Sequence, residues 1–200
     1  MSYSDFKTLD QINKELGIII KAESELYIDV KPVELTQWFI DTMKMAYIKA
    51  IRINTESSRQ ALIVDHVLME LNQHINISFF LENTFNVDSS KGLTGNPDGI
   101  ISNSDNQLYI TSPVAVLVEA KKSDLGSGLA QCIAEMEAAR IFNEKESNNI
   151  PTVYGVVTDG ALWQFLSLKD NIATIDSYLY NFGNGSQIVG ILKFFFDGFK

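Results

Sequence analysis

Val114-Ala115-Val116-Leu117-Val118-Glu119-Ala120-Lys121-Lys122 is a short apolar run, rich in β-branched residues, that ends abruptly in charge. Length and composition mark it as a buried strand. Side chains alternate faces along a strand, so Glu119 and Lys121 share a side and leave the strand end together. Upstream, Gly95-Asn96-Pro97-Asp98-Gly99-Ile100-Ile101 uses Pro and Gly to punctuate the entry to another strand. If the two strands are neighbours, Asp98, Glu119 and Lys121 converge on one point. Two carboxylates can hold a hard divalent cation through oxygen. Such a cation acidifies a bound water and stabilises charge on a phosphate. A lysine, as a compact point charge, can position that water or neutralise the phosphate.

The rest of the chain follows from periodicity and punctuation. Residues 5–16 read as a short helix stopped by Gly17. Residues 18–30 are ambiguous between a strand and an irregular segment. Pro32 suits the first turn of a helix running to about Ile51. Asn54 or Thr55 can cap the next helix, to about His74. Strands are expected over 75–88, 93–102 and 112–122. Gly126-Ser127-Gly128 breaks the chain before a helix to about Asn143. Strands over 152–158 and 161–169 are joined by Asp159-Gly160, a hairpin signal. A strand over 172–180 and a final amphipathic helix from Asn184 to Phe196 complete the order. A helix between the third and fourth strands can serve as a crossover, so part of the sheet is expected to be parallel. The class is α/β: a mixed sheet flanked by helices, with residues 1–54 as an N-terminal helical extension, 55–183 as the core and 184–200 as a C-terminal helix of one domain.

Composition sets bounds. The 200 residues are 46% hydrophobic and 20% charged, enough for an ordinary packed core. No run is apolar for long enough to span a bilayer, and the first residues lack the basic and hydrophobic regions of a signal peptide. One cysteine, Cys132, rules out an internal disulfide and fits a reducing interior. A cytoplasmic protein without membrane attachment is expected. The formal charge of −9 opposes binding to a polyanion, because nonspecific DNA affinity comes from neutralising phosphates. A local basic patch, an oligomer or a protein partner would have to supply it. Lys44, Arg52 and Arg59 fall within about 80° of one another on a continuous helix, and a break near Asn54 would undo that patch.

Four segments in order resemble the PD-(D/E)XK nuclease superfamily, the restriction-endonuclease-like fold. Pro97-Asp98 and Glu119-Ala120-Lys121 carry the motif. The helix around 55–68 resembles the first core helix of that fold, whose opening glutamate is matched by Glu56. The helix from Gly128 to Met136 resembles the one after the motif strand, with Gln131 at its site-facing glutamine. Residues 156–165 look like the hairpin that follows in nuclease subunits of type I restriction systems. The likeness covers roughly residues 55 to 168. It implies a restriction-endonuclease-like sheet and metal-dependent hydrolysis of DNA phosphodiesters. Asp98, Glu119, Glu56 and the main-chain carbonyl of Ala120 would hold Mg²⁺, with Mn²⁺ as an alternative. Asp98, Glu119, Lys121 and Gln131 would form the catalytic set, with Lys121 orienting the attacking water and Gln131 supporting the lysine or a phosphate.

Each residue also has a plainer reading. Glu119 with Lys121 can be a surface ion pair, Asp98 a turn former, Glu56 a favourable charge at a helix start, and Gln131 an exposed polar residue. The same fold can serve instead as a noncatalytic interaction or scaffolding module of a restriction or repair complex, with the N-terminal residues as an oligomer or partner contact. Hydrolysis of RNA or a nucleotide would use the same chemistry. A basic cleft around Asp98 and Glu119 would favour the enzyme; an acidic or filled one would favour the module. His66, Glu70 and His74 line one helix side, but His66 and His74 are about 12 Å apart along it, too far to share an ion unaided. Cys132 lies in an apolar stripe and is expected to be a structural thiol.

Overall fold

The computed structural model describes residues 1–122, 124–148 and 150–198. Its centre is β4 (Val114–Ala120), buried at every position. The other strands are β1 (Ile19–Glu23), β2 (Ser78–Leu81), β3 (Gly99–Ser102), β5 (Val153–Thr158), β6 (Leu162–Lys169), β7 (Ile172–Asp176) and β8 (Tyr180–Asn181). They form one eight-stranded open sheet in the order β1-β7-β6-β5-β4-β3-β2, with β8 on β6. Pairing is antiparallel except between β4 and β5 and between β1 and β7. The parallel β4–β5 pair needs a crossover, and α5 (Leu125–Lys145) provides it.

Helices cover both faces. Along β4, Val116, Val118 and Ala120 join a core with α2 (Gln37–Ile53), α4 (Asp65–His74) and α6 (Gly185–Phe194). Leu117 and Val114 join a second core with α5 and the buried Ile12 of α1 (Leu9–Leu16). From Val116 to Ala120 the two-residue period feeds two cores at once, while an irregularity in the β3–β4 register brings Val114 to the core of Leu117, and each fully buried large apolar side chain contributes about 1.5–3 kcal/mol. Glu119 shares the face of Leu117, the face that α5 covers.

The mixed α/β class and the crossover agree with the sequence reading, and the arrangement is compatible with a restriction-endonuclease-like fold. Several boundaries differ. The expected strands at 75–88 and 93–102 narrow to β2 and β3. α2 starts at Gln37, not at Pro32, because Thr36 caps it by accepting from the Phe39 amide at 3.2 Å. Within residues 18–30, β1 takes Ile19–Glu23 and turns follow it, so the N-terminal 54 residues are not helical throughout. Tyr3, Phe6 and Ile18 from the same stretch are buried in the α5-side core. Gly126 and Gly128 do not break the chain but lie within the first turn of α5, which Asp124 caps by accepting from the Gly126 amide.

The cationic stripe does not form. Asn54 takes a left-handed conformation and ends α2, and α3 (Glu56–Arg59) starts afresh behind its own cap, Thr55. Arg59 is buried against the Asp159 carbonyl and the Asn54 side chain, and Lys44 pairs with Asp41 at 2.7 Å. α3 continues through a π-helical turn, Gln60–Val64, into α4. Among the described residues no helix is long and apolar enough to cross a membrane.

Candidate functional site

Asp98 occupies the bend immediately before β3, where Pro97 and Gly99 bracket it. β3 pairs antiparallel with β4 in a register that sets Gly99 opposite Val118, which carries Asp98 to the end of β4 where Glu119 and Ala120 lie. The Ala120 amide donates to Asp98 Oδ2 at 2.7 Å. The Asp98 carbonyl accepts from Gln60 Nε2 at 2.9 Å and from the Glu82 amide at 3.2 Å, which ties the bend to the π turn and to the end of β2. The π turn thus aims Gln60 inward and anchors the helical layer to the bend.

Glu119 is buried, and its Oε1 accepts from Lys121 Nζ. Lys121 follows β4 and keeps the chain on course by donating its amide to the Thr158 carbonyl at 2.7 Å. Its aliphatic stem lies on Gly128 of α5. A Cβ there would sit 3.1 Å from Lys121 Cγ and 2.8 Å from a Val157 methyl, so only glycine permits this approach. Gln131, one turn further along α5, places its Oε1 3.5 Å from Lys121 Nζ. Its amide nitrogen donates to Glu135 Oε1 at 3.1 Å. Asp98, Glu119, Lys121 and Gln131 therefore stand together. Glu56 begins α3 on the surface; its charge acts on Asp98 and Lys121, but it makes no hydrogen bond to either.

The electrostatics are those of crowded acids. Burial pushes the Asp98 carboxyl up to about 6; the Ala120 amide and Lys121 oppose the rise, and Glu56 and Glu82 add to it. Burial, then the charge of Asp98, raises Glu119 against the pull of Lys121. Glu135, wholly enclosed, is raised by burial and by Glu119. Asp65 of α4 is lifted to about 6 by burial, then by Glu82 and Asp98. Burial works against the Lys121 ammonium, yet Glu119, Glu56 and Asp98 outweigh it and hold the amine above its ordinary value.

Glu135, Asp65 and Glu82 belong to this neighbourhood and were not singled out from sequence. Glu135 carried a signal: it falls in the apolar stripe of Gly128, Cys132, Met136 and Ala139, where an acid is out of place.

One oxygen each of Glu119, Glu135 and Asp65 is buried and faces no donor. Glu119 and Glu135 are hydrogen-bond neighbours once one of them holds a proton. A shared proton or a nearby cation would satisfy such oxygens. Carboxylate oxygens with open lone pairs, Glu119 Oε2 foremost, are the donor set a hard divalent cation takes. Among the described residues no three His, Cys, Asp or Glu side chains are already gathered as a metal cage. Two carboxylates completed by a main-chain carbonyl and water make a smaller set.

The other constellations are structural. Glu70 is fully buried and accepts from the Thr36 amide at 2.7 Å, from the Thr36 hydroxyl at 2.6 Å and from His74 Nε2 at 3.2 Å. His66 stacks on Trp38. The Cys132 thiol is buried and donates weakly to the Val156 carbonyl. No family model matches the chain, and no curated protein matches it.

Proposed function

We propose that this protein is a metal-dependent phosphodiesterase of the PD-(D/E)XK type that acts on DNA. The observation that carries the reading is the meeting of Asp98, Glu119 and Lys121 at the ends of β3 and β4, with Gln131 of the crossover helix against the lysine. The same residues appear in the order that the sequence resemblance implies. In this reading Asp98, Glu119 and the Ala120 carbonyl hold Mg²⁺, with Glu56 at the outer edge. The bound ion supplies an acidified water and a counter-charge for the phosphate. Asp98 is held in place through Ala120, leaving its other oxygen for a ligand. Lys121 brings a fixed positive charge to the side of the site where Glu119 stands, suited to orienting a water or balancing a phosphate oxygen. Gln131 keeps that amine from swinging away.

A second reading has its own observation. The surroundings of Asp98 and Glu119 are acidic: Glu56, Asp65, Glu82 and Glu135 all act there. Lys121 is the cation that reaches both motif acids, and it is engaged by Glu119. A noncatalytic scaffolding module fits such a site without further help, whereas an enzyme needs bound cations or a basic partner to admit DNA.

Calorimetric titration of Mg²⁺ and Mn²⁺ into wild type and Asp98→Ala, followed by incubation with single- and double-stranded DNA at low salt, separates the two. The nuclease reading expects metal binding and cleavage in wild type and neither in the variant. Absence of metal binding in wild type, with or without DNA, rejects the nuclease and leaves the module.

A further inference from the structure

Glu135 has no solvent exposure; it lies in the stripe of Gly128, Cys132, Met136 and Ala139, one turn from Gln131. Packing alone would choose an apolar side chain there, since burying an acid costs more than burying its hydrophobic isostere. What the acid does is visible in its contacts. Its Oε1 accepts from the amide nitrogen of Gln131 at 3.1 Å, while Gln131 turns its own oxygen to Lys121 Nζ at 3.5 Å. An amide has a donating end and an accepting end. Turned over, Gln131 would point N–H groups at an ammonium that can only donate. A carboxyl at position 135 accepts from the nitrogen end and so selects the productive orientation.

We infer that Glu135 is a positioning residue: by holding the nitrogen end of Gln131, it keeps the amide oxygen on the Lys121 ammonium and fixes where that ammonium stands beside Glu119. The part Lys121 plays toward a substrate rests on the phosphodiesterase reading, but the positioning itself can be measured without substrate. Its geometry also separates it from a purely structural role. A structural acid, once replaced, lowers stability; a positioning acid in an apolar stripe, replaced by an isostere, leaves stability equal or higher while the site loosens.

The test compares wild type with Glu135→Gln, whose side-chain oxygen can still accept, and with Glu135→Leu, which cannot. In protein carrying ¹⁵N-labelled lysine, the Lys121 ammonium resonance, assigned with Lys121→Arg, is expected to be slowly exchanging in wild type and Glu135→Gln and averaged with solvent in Glu135→Leu. The leucine variant is expected to melt no lower than wild type. With Mg²⁺ and DNA, its kcat should fall about 10- to 100-fold at unchanged KM, the range seen when a supporting hydrogen bond is removed from a metal site. A Lys121 resonance that is unprotected in wild type or unaltered in Glu135→Leu overturns the inference, as does a loss shared by both variants together with a lower melting temperature. If the resonance behaves as expected and wild type cleaves nothing, the positioning stands and the nuclease reading falls.

Discussion

Glu70 and Asp176 are as deeply buried as Glu119 and Glu135, but their surroundings differ in kind. Asp176 accepts from the amides of Glu25 and Tyr178 at one oxygen, and from the Leu26 amide and the Tyr180 hydroxyl at the other. It thereby binds the exit of β1 to the end of β7. Glu70 fills both oxygens from Thr36 and His74, and so holds the N-terminus of α2 against α4. Glu119 and Glu135 instead each keep one buried oxygen without a donor. Buried acceptors are nearly always satisfied, because leaving one open forfeits its hydration for nothing in return. The first pair is complete in the folded chain. The second has an open oxygen on each acid that a proton or a cation would satisfy, and in the proposed reading that is what separates a brace from a site.

Substitution should break this contrast most strongly at the braces. Glu70→Ala and Asp176→Ala each strand several donors and are expected to destabilise the fold by on the order of 3 kcal/mol, read from denaturant or thermal unfolding. Mg²⁺ should act on the other pair. At a concentration about a hundredfold above Kd, ion binding to the native state stabilises it by about 2.7 kcal/mol. That increment is expected in wild type and in the Glu70 variant and absent in Glu119→Gln. Without metal, Glu119→Gln should cost clearly less than Glu70→Ala, because the amide still offers Lys121 an acceptor, Asp98 and Glu56 still balance its charge, and a desolvated carboxylate is removed. A large loss of apo stability in Glu119→Gln, comparable with that of Glu70→Ala, would make Glu119 a brace and dissolve the distinction.

How much of this was readable in the chain depended on which residues announce their environment. β4 was legible because it is buried on both faces and therefore apolar without interruption until Glu119. Its parallel pairing with β5 followed from a helix-length insert between them. β1 was not, because it is an edge strand that is largely exposed and carries no alternation. The break at Asn54 was foreseeable, but the burial of Arg59 was not, since its partner Asp159 lies a hundred residues away. Asp98, Glu119 and Lys121 stand out through strand spacing and order, whereas Gln131 enters only through the resemblance. Glu135 was passed over because a glutamate on a helix ordinarily faces water, although its position in the apolar stripe was on display. The spacing of Glu70 from two histidines is too long for a shared ion, which leaves its role open in the sequence, and only the fold reveals Thr36 across the helix pair.

The smallest expected effect is the dependence of apo stability on pH, and it sharpens the same contrast. Asp65 and Asp98 have native pKa values raised to about 6 from 3.8, with burial as the leading cause in both. Between those limits the native state binds more protons than the unfolded chain, so stability falls as pH rises through the window. In the absence of metal, melting temperature should therefore decline from the lower to the upper end of that range, and Asp65→Asn should make the decline shallower. Divalent ions bind the deprotonated carboxylates, so their affinity should rise over the same interval and the slope should flatten when Mg²⁺ is present. Melting curves at several pH values, with Mg²⁺ and with EDTA, measure both. A stability that rises with pH across the window, or a slope indifferent to Asp65→Asn, would mean that the acids around Asp98 are better solvated than their burial implies. The open oxygens would then be no evidence of a site.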